Sequence, residues 1–347
     1  MVKGGIIFRV DGSKELGLGH ISRCLNLAET IADEFRDFNV PIHFITVKNP
    51  GSDVLFKNSG FSEFVIYIKE SADLKNFGKL INDFSPKVLI TDIDLRNCTE
   101  NYLETFFPGL FHASLHEHNF GLLTGDVVIA PTICPMVPCE KGEIGVTHFN
   151  GAEYILLSKE IGEIRKSAQP IVDEPRNGII SIGGADPSGL THNVLSALRA
   201  FNFPQIKWNV VLGPSSEYKT DEMIIAYPGG FEFIEGAELG RKGFLDLLGL
   251  SDVVITNGGT TLYEAMALKR SCMAVPQNEF EADVINLLDD TGACIGVMDT
   301  TRTGILEKLD EFLDSSEKRK GIAERAGEIV DGKGCNRITR IIGNYIR

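Results

Sequence analysis

The chain has 347 residues, more than one ordinary core accommodates, so two domains are expected. Apolar content of 43% and charged content of 24% fit a globular protein in water. A formal net charge of -14 argues against a nucleic-acid partner, whose phosphates demand a basic face, and against stable association with an anionic membrane.

A strand is predicted at Ile6–Val10, then a loop from Asp11 to His20 and a helix from Ile21 to about Phe35, with Leu25, Leu27, Ala28 and Ile31 as its apolar stripe. Strands follow at Ile42–Val47, Phe64–Ile68 and Val88–Thr91, with helices at Ser52–Ser59 and Asp73–Phe84 between them. Residues 111–150 are less regular, with Phe111–Leu115, Val127–Ala130 and a loop rich in Pro and Cys at Pro131–Pro138. The pattern changes around Tyr154–Leu157. The polar stretch Lys166–Arg176, holding Pro170 and Pro175, reads as a linker.

Strands then recur at Gly178–Ile182, Trp208–Leu212, Phe231–Ile234, Val253–Thr256 and Cys272–Val275. Helices are predicted at Leu190–Phe201, Gly243–Leu250, from Thr260 onward, and at Glu281–Thr291, Ile305–Leu313, Ser316–Ile329 and Asn336–Tyr345. Alternation at this spacing predicts an α/β protein with doubly wound parallel sheets. Residues 1–165 and 176–332 are expected as two Rossmann-like domains facing a central cleft that holds the ligand. Residues 333–347 would add a last helix able to pack back on the first domain.

Seven cysteines without a Cys-x-x-Cys pair imply reduced thiols and a cytoplasmic location. The N-terminus enters a strand directly, so no signal peptide is expected, and no apolar run approaches a membrane span.

Three loops stand between a strand and a helix. Asn257-Gly-Gly-Thr-Thr261 is a glycine turn that would present backbone N–H groups and a positive helix end to an anion, with Thr260 or Thr261 as the helix cap. Glu264, one turn in, could accept hydrogen bonds from a ribose. An ordinary βα turn explains the same residues. Gly17-Leu-Gly-His20 puts a histidine at a helix start, where the positive dipole end favours a neutral base for water or a hydroxyl; a surface histidine or a cap is the plainer account. In Gly183-Gly-Ala-Asp-Pro187, Asp186 or Ser188 would cap the next helix and Pro187 would suit its first turn, while the glycines leave room for a phosphate or sugar. His112, His116, His118, Cys134, Cys139 and His148 fall in one region, where His116-x-His118 could present two imidazoles to one metal on a strand; no pair of cysteines has zinc-finger spacing, so His116 or His118 facing the cleft is preferred to a metal.

Taken together, Arg9-Val-Asp11 with Gly17–His20 and Arg23-Cys24, then Ser181–Pro187, then Ile255–Glu264 with Gln277-Asn278 form an ordered set. It resembles the UDP-sugar hydrolases of pseudaminic acid biosynthesis and the related spore-coat polysaccharide proteins, GT-B-fold relatives of the MurG glycosyltransferase. The resemblance spans nearly the whole chain. It implies that His20 activates water at the anomeric carbon of a UDP-linked 2,4-diacetamido-2,4,6-trideoxyhexose, with no metal or other cofactor. Asn257, Gly258, Gly259, Thr260 and Thr261 would hold the diphosphate, Glu264 the ribose, backbone at Phe233 and Ile234 the uracil, and Gln277 and Asn278 the sugar. Asp11, Gly17, Gly19, Arg23, Asp92, Gly183 and Gly184 are further substrate-binding positions. The chain departs from the pattern at Asp92-Ile-Asp94, where the hydrolases usually carry Asp-x-Tyr, and at Leu115-His-Glu-His118, where an Asp-Asp pair is common. Both departures fall in the half that would hold the sugar, so sugar transfer and non-catalytic binding of a nucleotide sugar remain alternatives.

Overall fold

The computed structural model describes residues 4–12, 18–69, 74–93, 110–115, 125–134, 147–201 and 205–346. Two compact units emerge: Met1–Lys159 with Lys333–Arg347, and Glu160–Gly332.

The first unit runs β1 (Ile6–Val10), α1 (Gly19–Glu34), β2 (Ile42–Val47), α2 (Pro50–Lys57), β3 (Val65–Ile68), α3 (Leu74–Phe84), β4 (Val88–Asp92), β5 (Phe111–Leu115), β6 (Val127–Ala130) and β7 (Thr147–Asn150). All seven strands join one parallel sheet in the order β3-β2-β1-β4-β5-β6-β7. Every residue of β1, β4, β5 and β6 is buried, as expected of central parallel strands covered on both faces. The stretch read as less regular therefore supplies three strands. β7 escaped notice because it is mostly exposed at the sheet edge and carries no apolar run. Asn49 caps α2 through Ser52 in a reciprocal capping box.

The second unit opens with α4 (Glu160–Ser167) and continues β8 (Asn177–Ser181), α5 (Leu190–Phe201), β9 (Lys207–Leu212), α6 (Thr220–Ala226), β10 (Phe231–Glu235), α7 (Gly236–Gly249), β11 (Val253–Thr256), α8 (Thr260–Ala267), β12 (Ser271–Ala274), α9 (Glu279–Asp290), β13 (Ile295–Gly296), α10 (Arg302–Asp314) and α11 (Ser316–Ile329). Its six strands form a second parallel sheet, β10-β9-β8-β11-β12-β13. The fold class expected from the alternation is thus observed in both units.

The polar stretch 166–176 begins inside α4; Arg165 anchors that helix just before it, and two further arginines hold the stretch itself. Arg165 donates to the carbonyls of Ala267 at 2.6 Å, Val330 at 3.2 Å and Gly327 at 2.9 Å, which close the C-terminal ends of α8 and α11. Arg270 donates to Gln169 O and Arg319 to Asp173 O, both at 2.6 Å. Carbonyls at helix ends and in this Pro-containing stretch lack ladder partners, and a guanidinium with five donors serves several at once.

The last helix, α12 (Gly334–Ile346), belongs to the first unit. Ile338, Ile342 and Ile346 join the apolar cluster of β1, α1 and β4, and Tyr345 stacks on Phe111 with ring centroids 3.5 Å apart. Gly334 and Gly343 admit close approach, since a Cβ would lie 2.2 Å from Ile155 O and 2.9 Å from the Phe35 ring respectively. Ile342 is fully buried. Ile342→Ala is expected to destabilise the first unit by about 2–5 kcal/mol, read as a lower urea midpoint for that unit's transition.

Candidate functional site

In the first sheet the strand order reverses between β1 and β4, and α1 begins beside their carboxyl ends. Such a switch point is the usual ligand position of an open α/β sheet. Leu18 occupies the N-cap of α1 without a side-chain cap bond, and the first turn holds no acidic residue. His20 and Arg23, three residues apart on one helix face, meet Asp92, the last residue of β4 and the register partner of Val10. His20 Nδ1 lies 2.8 Å from Asp92 Oδ1. Arg23 grips the same carboxylate twice, Nε to Oδ2 and Nη2 to Oδ1, each at 2.6 Å. Cys24 Sγ is 3.5 Å from Oδ2.

Burial alone would raise the Asp92 carboxyl, but the charges and hydrogen bonds of Arg23 and His20 hold it well below the usual carboxylate range. The Asp92 side chain is 2% exposed and that of His20 21%. Among the described residues only Nδ1 of His20 is engaged. Asp11 takes a different place: Arg9 holds both its oxygens, at 2.6 and 2.7 Å, and Oδ1 also accepts the Val47 N–H at 2.9 Å. It ties β1 to the end of β2 from a buried position.

The second unit gathers its loops at the corresponding reversal, between β8 and β11. Gly259 is the N-cap of α8, and Thr260 and Thr261 are its first two helical residues rather than caps. A glycine cap has no side chain to satisfy the first-turn N–H groups, so this end suits an anion. Glu281, the third residue of α9, turns back toward the loop. It accepts from Asn257 Nδ2 at 2.7 Å, Gly258 N at 3.2 Å and Gln277 N at 2.8 Å. Burial pushes its carboxyl up, and these three donors partly offset that. Gly258 is required by the approach, because a Cβ there would lie 2.7 Å from Glu281 Cβ. Asn257 Oδ1 is buried with no hydrogen-bond partner among the described residues.

Gln277 Nε2 donates to Ile182 O at 3.2 Å, and Asn278 Oδ1 caps α9 by accepting Glu281 N at 2.9 Å. Gly183 takes φ +71° next to Asn257, and a Cβ at Gly184 would meet nothing within 4 Å. Asp186 caps α5 by accepting Leu190 N at 2.9 Å and Thr191 N at 2.8 Å. The helix starts at Leu190, so Pro187 precedes it and the first-turn role expected for Pro187 is corrected.

Glu264 is 1% exposed, and its carboxylate pairs with Arg241, which follows a break in α7 at Gly240. Burial pushes the Glu264 carboxyl up and Arg241 only partly offsets this. Phe233 and Ile234 lie on β10, an edge strand that pairs with β9 alone; Phe233 is buried in the unit's core and Ile234 half-buried.

Sequence reasoning missed Glu281 and Arg241. Glu281 had a local signal, the Asn278-x-x-Glu281 spacing of a helix start, whereas Arg241 had none. Gly17, Asp94, Cys98, His116, Glu117, His118 and Cys139 lie outside the described residues. His112, on β5, bonds Thr91 Oγ1 at 2.8 Å. Among the described residues, no group of three or more His, Cys, Asp and Glu could hold a metal ion, and no helix is long and apolar enough to cross a membrane.

No family model matches the chain. An uncharacterized protein of Methanocaldococcus jannaschii is 29% identical over 293 residues, 79% of this chain and 56% of its own length. The spore coat polysaccharide biosynthesis protein SpsG of Bacillus subtilis is 26% identical over 207 residues, 56% of this chain and 57% of its own. The chain thus spans about half the length of the curated relatives it matches. Among solved structures, MurG of Acinetobacter baumannii is similar with a TM-score of 0.67 at 11% identity, covering 99% of both chains. A UDP-GlcNAc 2-epimerase from Neisseria meningitidis, bound to UDP-GlcNAc, gives 0.60 at 12% identity over 98% of this chain and 100% of that one. At such identities the likeness establishes the fold, the two-domain α/β arrangement of the GT-B type.

A carboxyl whose folded-state pKa is raised holds its proton more tightly folded than unfolded, so ionisation weakens the fold as pH rises through that range. Glu264→Gln keeps an acceptor for Arg241 and removes the buried charge. The variant is expected to melt higher than the wild type at neutral pH, with the gap closing as pH falls into the ordinary carboxylate range. Calorimetric melting across that range checks it.

Proposed function

We propose that the chain hydrolyses a UDP-linked amino sugar of the 2,4-diacetamido-2,4,6-trideoxyhexose type, in the biosynthesis of a nonulosonic acid or surface polysaccharide. The observation that carries this reading is His20 in the first turn of α1, half-buried, with one ring nitrogen bonded to a buried carboxylate and the other without a partner among the described residues. An imidazole so placed can take a proton from water.

In the proposed reaction His20 Nε2 accepts a proton from water as the water oxygen bonds to C1 of the sugar. The bond from C1 to the diphosphate oxygen breaks, and UDP leaves with the electron pair, inverting C1. The α8 start would carry the diphosphate through the backbone at Gly259, Thr260 and Thr261, since Glu281 already uses the Gly258 N–H. Glu264 would meet the ribose beside Arg241, β10 backbone at Phe233 and Ile234 the uracil, and Gln277 the sugar. The side-chain oxygen of Asn278 is committed to its helix, which leaves its amide nitrogen for that sugar. Gly183 and Gly184 allow close approach. No metal is required in this scheme, and the protein would work in the cytoplasm without stable membrane association.

Support comes from SpsG, named for spore coat polysaccharide biosynthesis, and from structural neighbours whose names include UDP or UDP-GlcNAc. A second reading, glycosyl transfer from the same donor, is favoured by the MurG and forosaminyltransferase neighbours. The excess of Asp and Glu over Lys and Arg in residues 1–150 disfavours a lipid acceptor reached at an anionic surface.

Purified protein, with no acceptor, is expected to release UDP from a UDP-2,4-diacetamido-trideoxyhexose in ¹⁸O-labelled water, and to place the label on the sugar rather than on UDP. NMR isotope shifts read the position. UDP released only after a glycan or lipid acceptor is added makes the chain a transferase. In the same assay His20→Asn is expected to lower kcat by about 10²–10⁴, the usual contribution of a general base, with KM little changed. A variant turning over at the wild-type rate removes His20 from the chemistry.

A further inference from the structure

We infer that Arg23 and Asp92 are positioning residues that hold His20 as the tautomer protonated on Nδ1, leaving Nε2 as the acceptor. The inference rests on the reading of His20 as the base and identifies what orients it.

Two groups converge on His20 Nδ1: Asp92 Oδ1 at 2.8 Å and Arg23 Nη2 at 3.0 Å. They make opposite demands. A guanidinium only donates, so Nδ1 facing it would have to carry a lone pair. An ionised carboxylate only accepts, so Nδ1 facing it must carry the proton. The geometry decides between them. Arg23 already spends Nε and Nη2 on Asp92, each at 2.6 Å, in a bidentate grip. A bare Nδ1 would set its lone pair against Asp92 Oδ1 at 2.8 Å, in a place where Asp92 is 2% exposed and no water can intervene. Donation from Nδ1–H to Asp92 removes that opposition and leaves Arg23 Nη2 a neighbour at the ring edge.

Arg23 has a separate task. A carboxyl buried as deeply as Asp92 tends to keep its proton. A protonated Asp92 could donate to Nδ1, which would move the ring proton to Nε2 and leave no acceptor for water. The Arg23 charge keeps Asp92 ionised, and Asp92 in turn keeps the ring proton on Nδ1. The chain of influence runs from Arg23 through Asp92 to His20, and neither positioning residue needs to touch the substrate. Fold and sequence deliver it by two independent constraints: the three-residue spacing of His20 and Arg23 on α1, and the register that sets Asp92 beside the end of β1.

The test is the tautomer itself, read by long-range ¹H–¹⁵N correlation on the full chain labelled at histidine nitrogens, at a pH where the ring is neutral. The expected wild-type result is a protonated Nδ1 and a bare Nε2. In Asp92→Asn the amide can donate to Nδ1, so the proton is expected to move to Nε2, with kcat falling about 10³–10⁴-fold and KM within about twofold. Arg23→Gln is expected to shift the same signals in the same direction, and Arg23→Lys, which retains the charge, to return them toward the wild type. A wild-type ring protonated on Nε2, or a tautomer unmoved in Asp92→Asn, overturns the inference. The wild-type spectrum decides the matter even where a variant does not fold. A ring protonated on Nδ1 that moves as expected in a protein inactive on every nucleotide sugar sustains this inference while sinking the proposed hydrolysis.

Discussion

Parallel strands joined by helices impose one constraint on everything else in this chain: every strand ends at the same edge of its sheet, and every following helix begins there. The strand order reverses between β1 and β4 in the first unit and between β8 and β11 in the second, and ligands of open α/β sheets usually bind at such reversals. The chain places its unusual residues at these reversals. Asp92 ends β4, His20 and Arg23 open α1, and Asn257 to Gly259 connect β11 to α8. Topology decides where chemistry can be done, and the residue types at those ends decide which chemistry it is.

Much of this was legible in the sequence because the signals are local. β1, β8 and β11 are short β-branched or apolar runs bounded by polar or glycine loops, and a parallel strand buried on both faces has to read that way. The glycine turn at Gly258 and the histidine at a helix start could be seen for the same reason. What stayed hidden depends on partners distant in sequence. His20 and Asp92 are 72 residues apart, Asn257 and Glu281 24, and Arg241 and Glu264 23. Asp92 could be marked as a site residue, but not as the group that holds His20. The polar stretch after Lys166 carries two prolines and reads as a linker, and no local signal shows that Arg270 and Arg319 hold its carbonyls.

Three arginine–carboxylate pairs in the two units show how burial acts on charges. Arg9 with Asp11 is structural, since both oxygens and a β2 amide are used to lock two strand ends. Removing a charge from water is costly, and replacing such pairs with apolar residues is often no worse for stability, so a buried pair is weak evidence of stabilisation. Arg9 and Asp11 connect the end of β1 to Val47 at the end of β2. Arg23 and Asp92, as inferred above, orient a third group, the His20 ring.

Glu264 and Asp92 are both buried carboxylates facing an arginine, yet their ionisation is displaced in opposite directions. The difference lies in the number of donors. Asp92 accepts two bonds from Arg23 and one from His20, enough to outweigh desolvation. Among the described residues Glu264 meets Arg241 through one nitrogen, and the Arg241 side chain is 37% exposed, so solvent screens it. A carboxylate with unused lone pairs gains more from a new donor than one already satisfied. The same physics leaves Asp92 engaged within the protein and, on the proposed reading, gives Glu264 capacity for the hydroxyls of a ribose.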